Sequence, residues 1–182
     1  MKSFYTFIIL IGLNTITLSA QQKCEQLPGY DLCKLPDLKH ILTTKYTIFT
    51  DALTNGVDSE KLSEWNKVVN SIGAYIIKNH PELNKEYNQL RAISDGLVNT
   101  VKIVKNTKSY GDMDKTVKAF FQNKELFKKS PEDTLATLRK DLAPGTFSRH
   151  AETRELLVDF AQALRNAINL VKADALSRGF LK

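Results

Sequence analysis

Apolar residues recur along this chain at steps of three and four, the spacing that gathers side chains on one face of an α-helix. The longest such stretch runs from Ser59 to Lys105. Its first arm carries Leu62, Trp65, Val69, Ile72 and Ile76, with Val68 and Tyr75 widening the face. Asp58 is placed to cap that arm, since its carboxylate can accept from an orphan amide of the first turn, and Val57 can staple onto Leu62. Pro81 has no N–H and clashes with the carbonyl four residues back, so the first arm stops there and a second starts. The second arm sets Leu83, Tyr87, Leu90, Leu97, Val101 and Val104 near one face, flanked by Ile93 and Val98. Gly96 interrupts it at a cost of about 1 kcal/mol relative to alanine.

The same spacing predicts four more helices. Leu38, Ile41, Leu42, Tyr46, Phe49, Ala52 and Leu53 form one, capped by Asp37 and stopped at Asn55-Gly56. Residues 41 to 50 are rich in β-branched types, which favour a strand, but the helical steps decide against it. Lys105 to Asp112 is a polar loop, followed by a helix from Met113 to Asn123 with Asp112 as its cap, using Met113, Val117, Phe120 and Phe121. Ser130-Pro131-Glu132-Asp133 is a helix start: a cap, a proline at the first position, and acids where the helix dipole favours them. That helix carries Leu135, Leu138 and Leu142 and stops at Ala143-Pro144-Gly145; a last one runs from Ser148 to Ser177, with Leu157, Phe160, Leu164, Ile168 and Val171 facing inward and Gly179 as its stop. No repeat, low-complexity tract or long linker divides these elements. The expectation is one all-α domain over residues 37–182, an irregular bundle of about six helices.

The beginning of the chain has a different pattern. Met1-Lys2 is a short positive end, Phe4 to Leu13 is almost wholly apolar, and small residues lead out to Ala20. This reads as a secretory signal peptide over residues 1–20, too short for the ~20 apolar residues of a membrane span. The mature protein is then expected to be secreted and extracellular, with 182 − 20 = 162 residues and a formal charge of +5 rather than +6, since Lys2 is lost. That length suits one domain. The basic residues are spread along the chain, densest at Lys128-Lys129, and read as solvated surface rather than as a nucleic-acid interface. Residues 21–36 form an N-terminal segment with Cys24 and Cys33 on either side of Pro28-Gly29. In a secreted chain that pair reads as a disulfide closing a small loop; a reactive or metal-binding thiol pair is the other reading.

Motifs for catalysis are lacking. His40, His80 and His150 have no metal-ligand spacing between them, and no nucleophile elbow, phosphate-binding glycine loop or EF-hand occurs. The chain reads as a non-enzyme without a cofactor. Its aromatic content, with Trp65, Tyr75, Tyr87, Phe120, Phe121, Phe127 and Phe160, serves either as a core or as the lining of a lipid pocket, and periodicity does not separate the two.

Two segments resemble the nematode fatty-acid- and retinol-binding proteins. "IIKNHPELNKEYNQLRAISDGLVNTVKIV", Ile76 to Val104, is similar to the family's central segment, with His80-Pro81-Glu82-Leu83 standing at its helix-opening turn. "ELFKKSPEDTLATLRKDLAPGTFS", Glu125 to Ser148, is similar to a second family pattern of helix start, leucines and proline-containing stop. The resemblance implies a divergent member: secreted, entirely helical, non-enzymatic, holding fatty acids or retinol in an internal apolar cavity. For such a carrier, Trp65, Val69, Ile72, Tyr87, Leu90, Phe120, Phe121 and Phe160 are the expected lining, and Arg91 and Arg165 the candidates to meet a ligand carboxylate. Ligand transfer would bring transient membrane contact. The competing class is a secreted helical interaction protein, an antigen or immunomodulator, with a dry core and an exposed apolar patch.

Overall fold

The computed structural model describes residues 25–141 and 150–182. The expected signal peptide, Cys24 with its pairing, the Ala143-Pro144-Gly145 stop and the start at Ser148 lie outside the described residues. Six α-helices make up most of what is described, and the chain is all-α. They are α1 (Leu35–Lys45), α2 (Ser59–Asn79), α3 (Asn84–Asn106), α4 (Tyr110–Phe121), α5 (Pro131–Asp141) and α6 (Ala151–Ser177). Two-residue strands β1 (Gln26–Leu27) and β2 (Tyr30–Asp31) pair antiparallel across Pro28-Gly29, where Gly29 takes a φ of 81°. No helix among the described residues is long and apolar enough to cross a membrane.

Helices α5, α1 and α3 pack on α6, while α2 packs on α1 and α3, and α4 on α3. The α6 apolar residues Leu156, Leu157, Phe160, Leu164, Ala167 and Val171 are fully buried. Gly179, at φ 75°, ends α6 in a Schellman turn, with the Phe180 N–H donating to Ala175 O at 2.9 Å. Phe180 then folds back and is buried beside Tyr110. The N-terminal segment is part of the same core. Leu32 is wholly buried, the Glu25 N–H donates to Ser71 Oγ at 3.1 Å, and the Asp31 N–H donates to Asp37 Oδ2 at 2.8 Å.

Several boundaries differ from the sequence pattern, each for a local reason. Helix α1 ends at Lys45 and tightens into a 3₁₀ turn over Tyr46–Phe49, instead of continuing to Leu53. The hydroxyls of Thr43, Thr44 and Thr47 donate to the carbonyls of His40, Ile41 and Thr44, in competition with the helical ladder. Asp37 lies within the first turn of α1 rather than capping it, its carboxylate spent on β2. Pro81 opens a 3₁₀ turn, Pro81–Leu83, and α3 starts only at Asn84. Helix α4 starts at Tyr110, three residues earlier than expected, because Ser109 Oγ and not Asp112 takes the cap position and accepts from the Asp112 N–H at 3.4 Å. The α2 cap is the expected one, Asp58 Oδ1 accepting from the Glu60 N–H at 2.7 Å.

Candidate functional site

The sequence-derived ligand-lining residues fall into two groups. Trp65, Val69 and Ile72 on α2, Tyr87 and Leu90 on α3, and Phe160 on α6 are buried together. Their polar tips are satisfied from within: the Trp65 indole N–H donates to Ser94 Oγ at 2.8 Å, and the Tyr87 hydroxyl donates to Val69 O at 3.0 Å. Trp65 meets Phe49 edge to face at 5.4 Å, and Tyr87 lies 6.4 Å from Phe160. Burial pushes the Tyr87 phenol above its usual pKa, an effect the nearby Arg91 charge opposes. Phe120 and Phe121 form a second group on the same core, in which Phe120 meets both Phe121 and Phe127 edge to face at 5.1 and 5.3 Å. Gly96, read in the sequence only as a weak point of α3, lets this cluster approach the helix: a Cβ there would lie 3.0 Å from Leu126 Cδ2 and 3.2 Å from Phe120 Cε2.

The two arginines occupy different settings. Arg91 lies in a polar groove of about 300 Å³ with Asn66, Asn70, Asn99 and Lys102, 3.7 Å from the Asp95 carboxylate. Its charge is therefore already partnered. Arg165, on α6, is half-buried, and its Nε has no hydrogen-bond partner.

A larger groove, of about 680 Å³, runs between the first half of α3 and the irregular segment that joins α4 to α5. The 3₁₀ turn after Pro81 sets the phase of α3 so that Asn84, Lys85, Asn88, Gln89 and Ala92 form one wall. The other wall is Glu125, Leu126, Lys128 and Lys129, held in a turn by Asn123 Oδ1, which accepts from the Leu126 N–H at 2.9 Å. Ala92 and Leu126 are the apolar members of its lining, and Leu126 packs with Phe120 against Gly96. The rim carries three lysines against one glutamate. Asn84 Oδ1 and Gln89 Oε1 are buried without hydrogen-bond partners, an unmet demand of about 1 to 3 kcal/mol each if left unsatisfied. Sequence reasoning missed this groove. Its one visible signal was the Lys128-Lys129 pair, which read as ordinary solvated surface.

A third grouping joins two helix junctions. His80 ends α2, Glu82 lies in the 3₁₀ turn that follows, and His150 precedes α6. The imidazole centroids are 3.7 Å apart, and His150 Nε2 is 2.8 Å from Glu82 Oε1, with His80 Nδ1 at 3.8 Å from the same oxygen. Partial burial, and then the neighbouring His150, hold His80 below its ordinary pKa, while the Glu82 charge opposes both.

Compared with known proteins, the chain matches no family model, no curated protein and no solved structure.

Proposed function

We propose that this protein is a secreted, non-catalytic carrier of single-chain amphiphiles, fatty acids or retinol, and that the groove between α3 and the α4–α5 connection is where the ligand's polar end is held. The observation that supports this reading is the meeting, in one concavity, of the apolar side chains of Ala92 and Leu126 with the cationic side chains of Lys85, Lys128 and Lys129. A volume of about 680 Å³ is in the range of small-molecule sites. A fatty-acid carboxylate would meet Lys85, Lys128 and Lys129. The hydrocarbon would lie along Ala92 and Leu126 toward Phe120 and Phe127. Transfer of apolar surface would supply most of the affinity, at about 0.8 kcal/mol per methylene fully buried, while the charged rim would fix orientation. The resemblance of Ile76 to Val104 and Glu125 to Ser148 to the nematode carriers points the same way, since both segments contribute walls of this groove.

The test is a titration of delipidated protein with a fluorescent fatty acid, competed by unlabelled fatty acid and by retinol. Saturable, competable binding is expected, weakening about fivefold to tenfold on joint Lys128→Glu and Lys129→Glu substitution, as reversal of two solvent-screened charges requires. A protein that binds neither ligand would contradict the proposal and direct attention to the interaction-protein class.

A further inference from the structure

We propose that His80, Glu82 and His150 form a divalent-metal site of the zinc class. One donor atom from each residue lies within 4.8 Å of the other two, and His80 Nδ1 and His150 Nε2 are the nitrogens that approach Glu82 Oε1. Tetrahedral zinc with bonds of ~2.0 to 2.1 Å separates its ligand atoms by about 3.3 Å. The two separations to Glu82 Oε1, 2.8 and 3.8 Å, bracket that value. Small side-chain rotations bring all three donors to one ion.

Three further observations bear on the site. The imidazole centroids are 3.7 Å apart, close enough for one ion to take a nitrogen from each ring. His80 Nδ1 is buried and has no hydrogen-bond partner, so a ring nitrogen faces the carboxylate without satisfying anything. His150 presents its ring there from a left-handed backbone, φ 66°, as the residue that precedes the first turn of α6. The carbonyl of the same residue accepts from Thr153 and Arg154, which fixes this backbone to the first turn of α6.

The donor set also selects the ion. Two imidazole nitrogens and one carboxylate suit zinc, copper or nickel rather than calcium or magnesium, which take oxygen ligands. Side-chain exposures of 19, 49 and 36% for His80, Glu82 and His150 leave the fourth coordination position open to solvent. A bound zinc would carry a water there. It would also link the α2–α3 corner to the start of α6, joining elements distant in sequence by bonds that a chelator removes.

The experiment is calorimetric titration of zinc chloride into chelator-treated full-length mature protein without reductant, alongside cobalt substitution followed by visible absorption. One zinc per chain is expected, with cobalt giving the strong d–d bands of a four-coordinate centre. Glu82→Gln, which preserves shape at a half-exposed position, and His150→Ala should each lower zinc affinity by about tenfold or more. His40→Ala, at a histidine outside the cluster and stacked on Tyr30, should leave it unchanged. The proposal is overturned if stripped wild-type protein shows no saturable uptake, if both cluster variants bind zinc as wild type does, or if His40→Ala weakens binding as much as they do.

Discussion

Gly73 sits in the middle of α2, where its helix propensity argues for replacement by alanine, worth about 1 kcal/mol of added stability. The packing argues the opposite. A Cβ on Gly73 would lie 2.5 Å from Tyr87 Cζ and 2.7 Å from Cε1, and closer still to the hydroxyl. Restoring an ordinary contact of 3.4 Å to Cζ moves the ring by 3.4 − 2.5 = 0.9 Å. Tyr87 has no room to give: it is 1% exposed, its hydroxyl donates to Val69 O at 3.0 Å, and Phe160 lies beside the ring. Overpacking costs about 1 to 3 kcal/mol, and a buried hydroxyl pulled off its acceptor adds a comparable amount. Subtracting the propensity gain leaves Gly73→Ala destabilising by about 1 to 5 kcal/mol. Urea denaturation monitored by Trp65 fluorescence should show a midpoint lower by about 0.5 to 2.5 M with an unchanged slope. Adding Tyr87→Leu should recover part of the loss, since it removes the atoms that clash. A Gly73→Ala protein as stable as wild type, or more so, would refute the packing of Tyr87 on α2.

Two other predictions concern how the bundle is tied together. Asp174 is buried near the end of α6, where Oδ2 accepts from the backbone N–H groups of Leu53 and Thr54 and Oδ1 from the Thr54 hydroxyl. Asp174→Ala leaves those donors unpaired and should cost about 2 to 4 kcal/mol in thermal or urea unfolding, with Asp174→Asn costing less. At the start of α5, Ser130 and Asp133 form a reciprocal cap, and hydrogen bonds from the Ser130 hydroxyl and N–H hold the Asp133 carboxyl below its ordinary pKa. The unfolded chain therefore binds this proton first. The cap's contribution is complete above the unfolded value of about 3.9 and is lost as pH falls through the folded one. Melting temperatures from about pH 6 to about pH 2.5 should drop less for Asp133→Asn than for wild type.

The helices were legible because each buries a periodic stripe, and the strongest punctuation was read correctly: Asp58 before α2, Ser130-Pro131 before α5, Gly179 after α6. The end of α1 was not, because periodicity continues through Tyr46 and Phe49 while threonine hydroxyls change the backbone underneath it. Trp65, Tyr87 and Phe160 could be identified as inward-facing, but not that the Trp65 indole finds Ser94, the Tyr87 hydroxyl finds Val69 O, or Tyr87 lies beside Phe160, which depends on helix packing. The groove has no periodic signature, since its walls are exposed polar residues of α3 and a segment without regular structure. The histidine cluster was hidden for a simpler reason: His80 and His150 belong to junctions far apart in the chain, and no local spacing connects them.

The most direct test of the carrier reading is to map ligand-induced amide shifts by two-dimensional NMR as delipidated protein is titrated with a long-chain fatty acid. Saturable shifts are expected at Asn84, Lys85, Asn88, Gln89 and Ala92 and over residues 125–129, extending to Phe120 and Gly96 as the alkyl chain lengthens. Shifts centred on Trp65, Ile72 and Tyr87 would contradict this expectation by placing the ligand inside the core, and the absence of any saturable shift would contradict lipid carriage altogether.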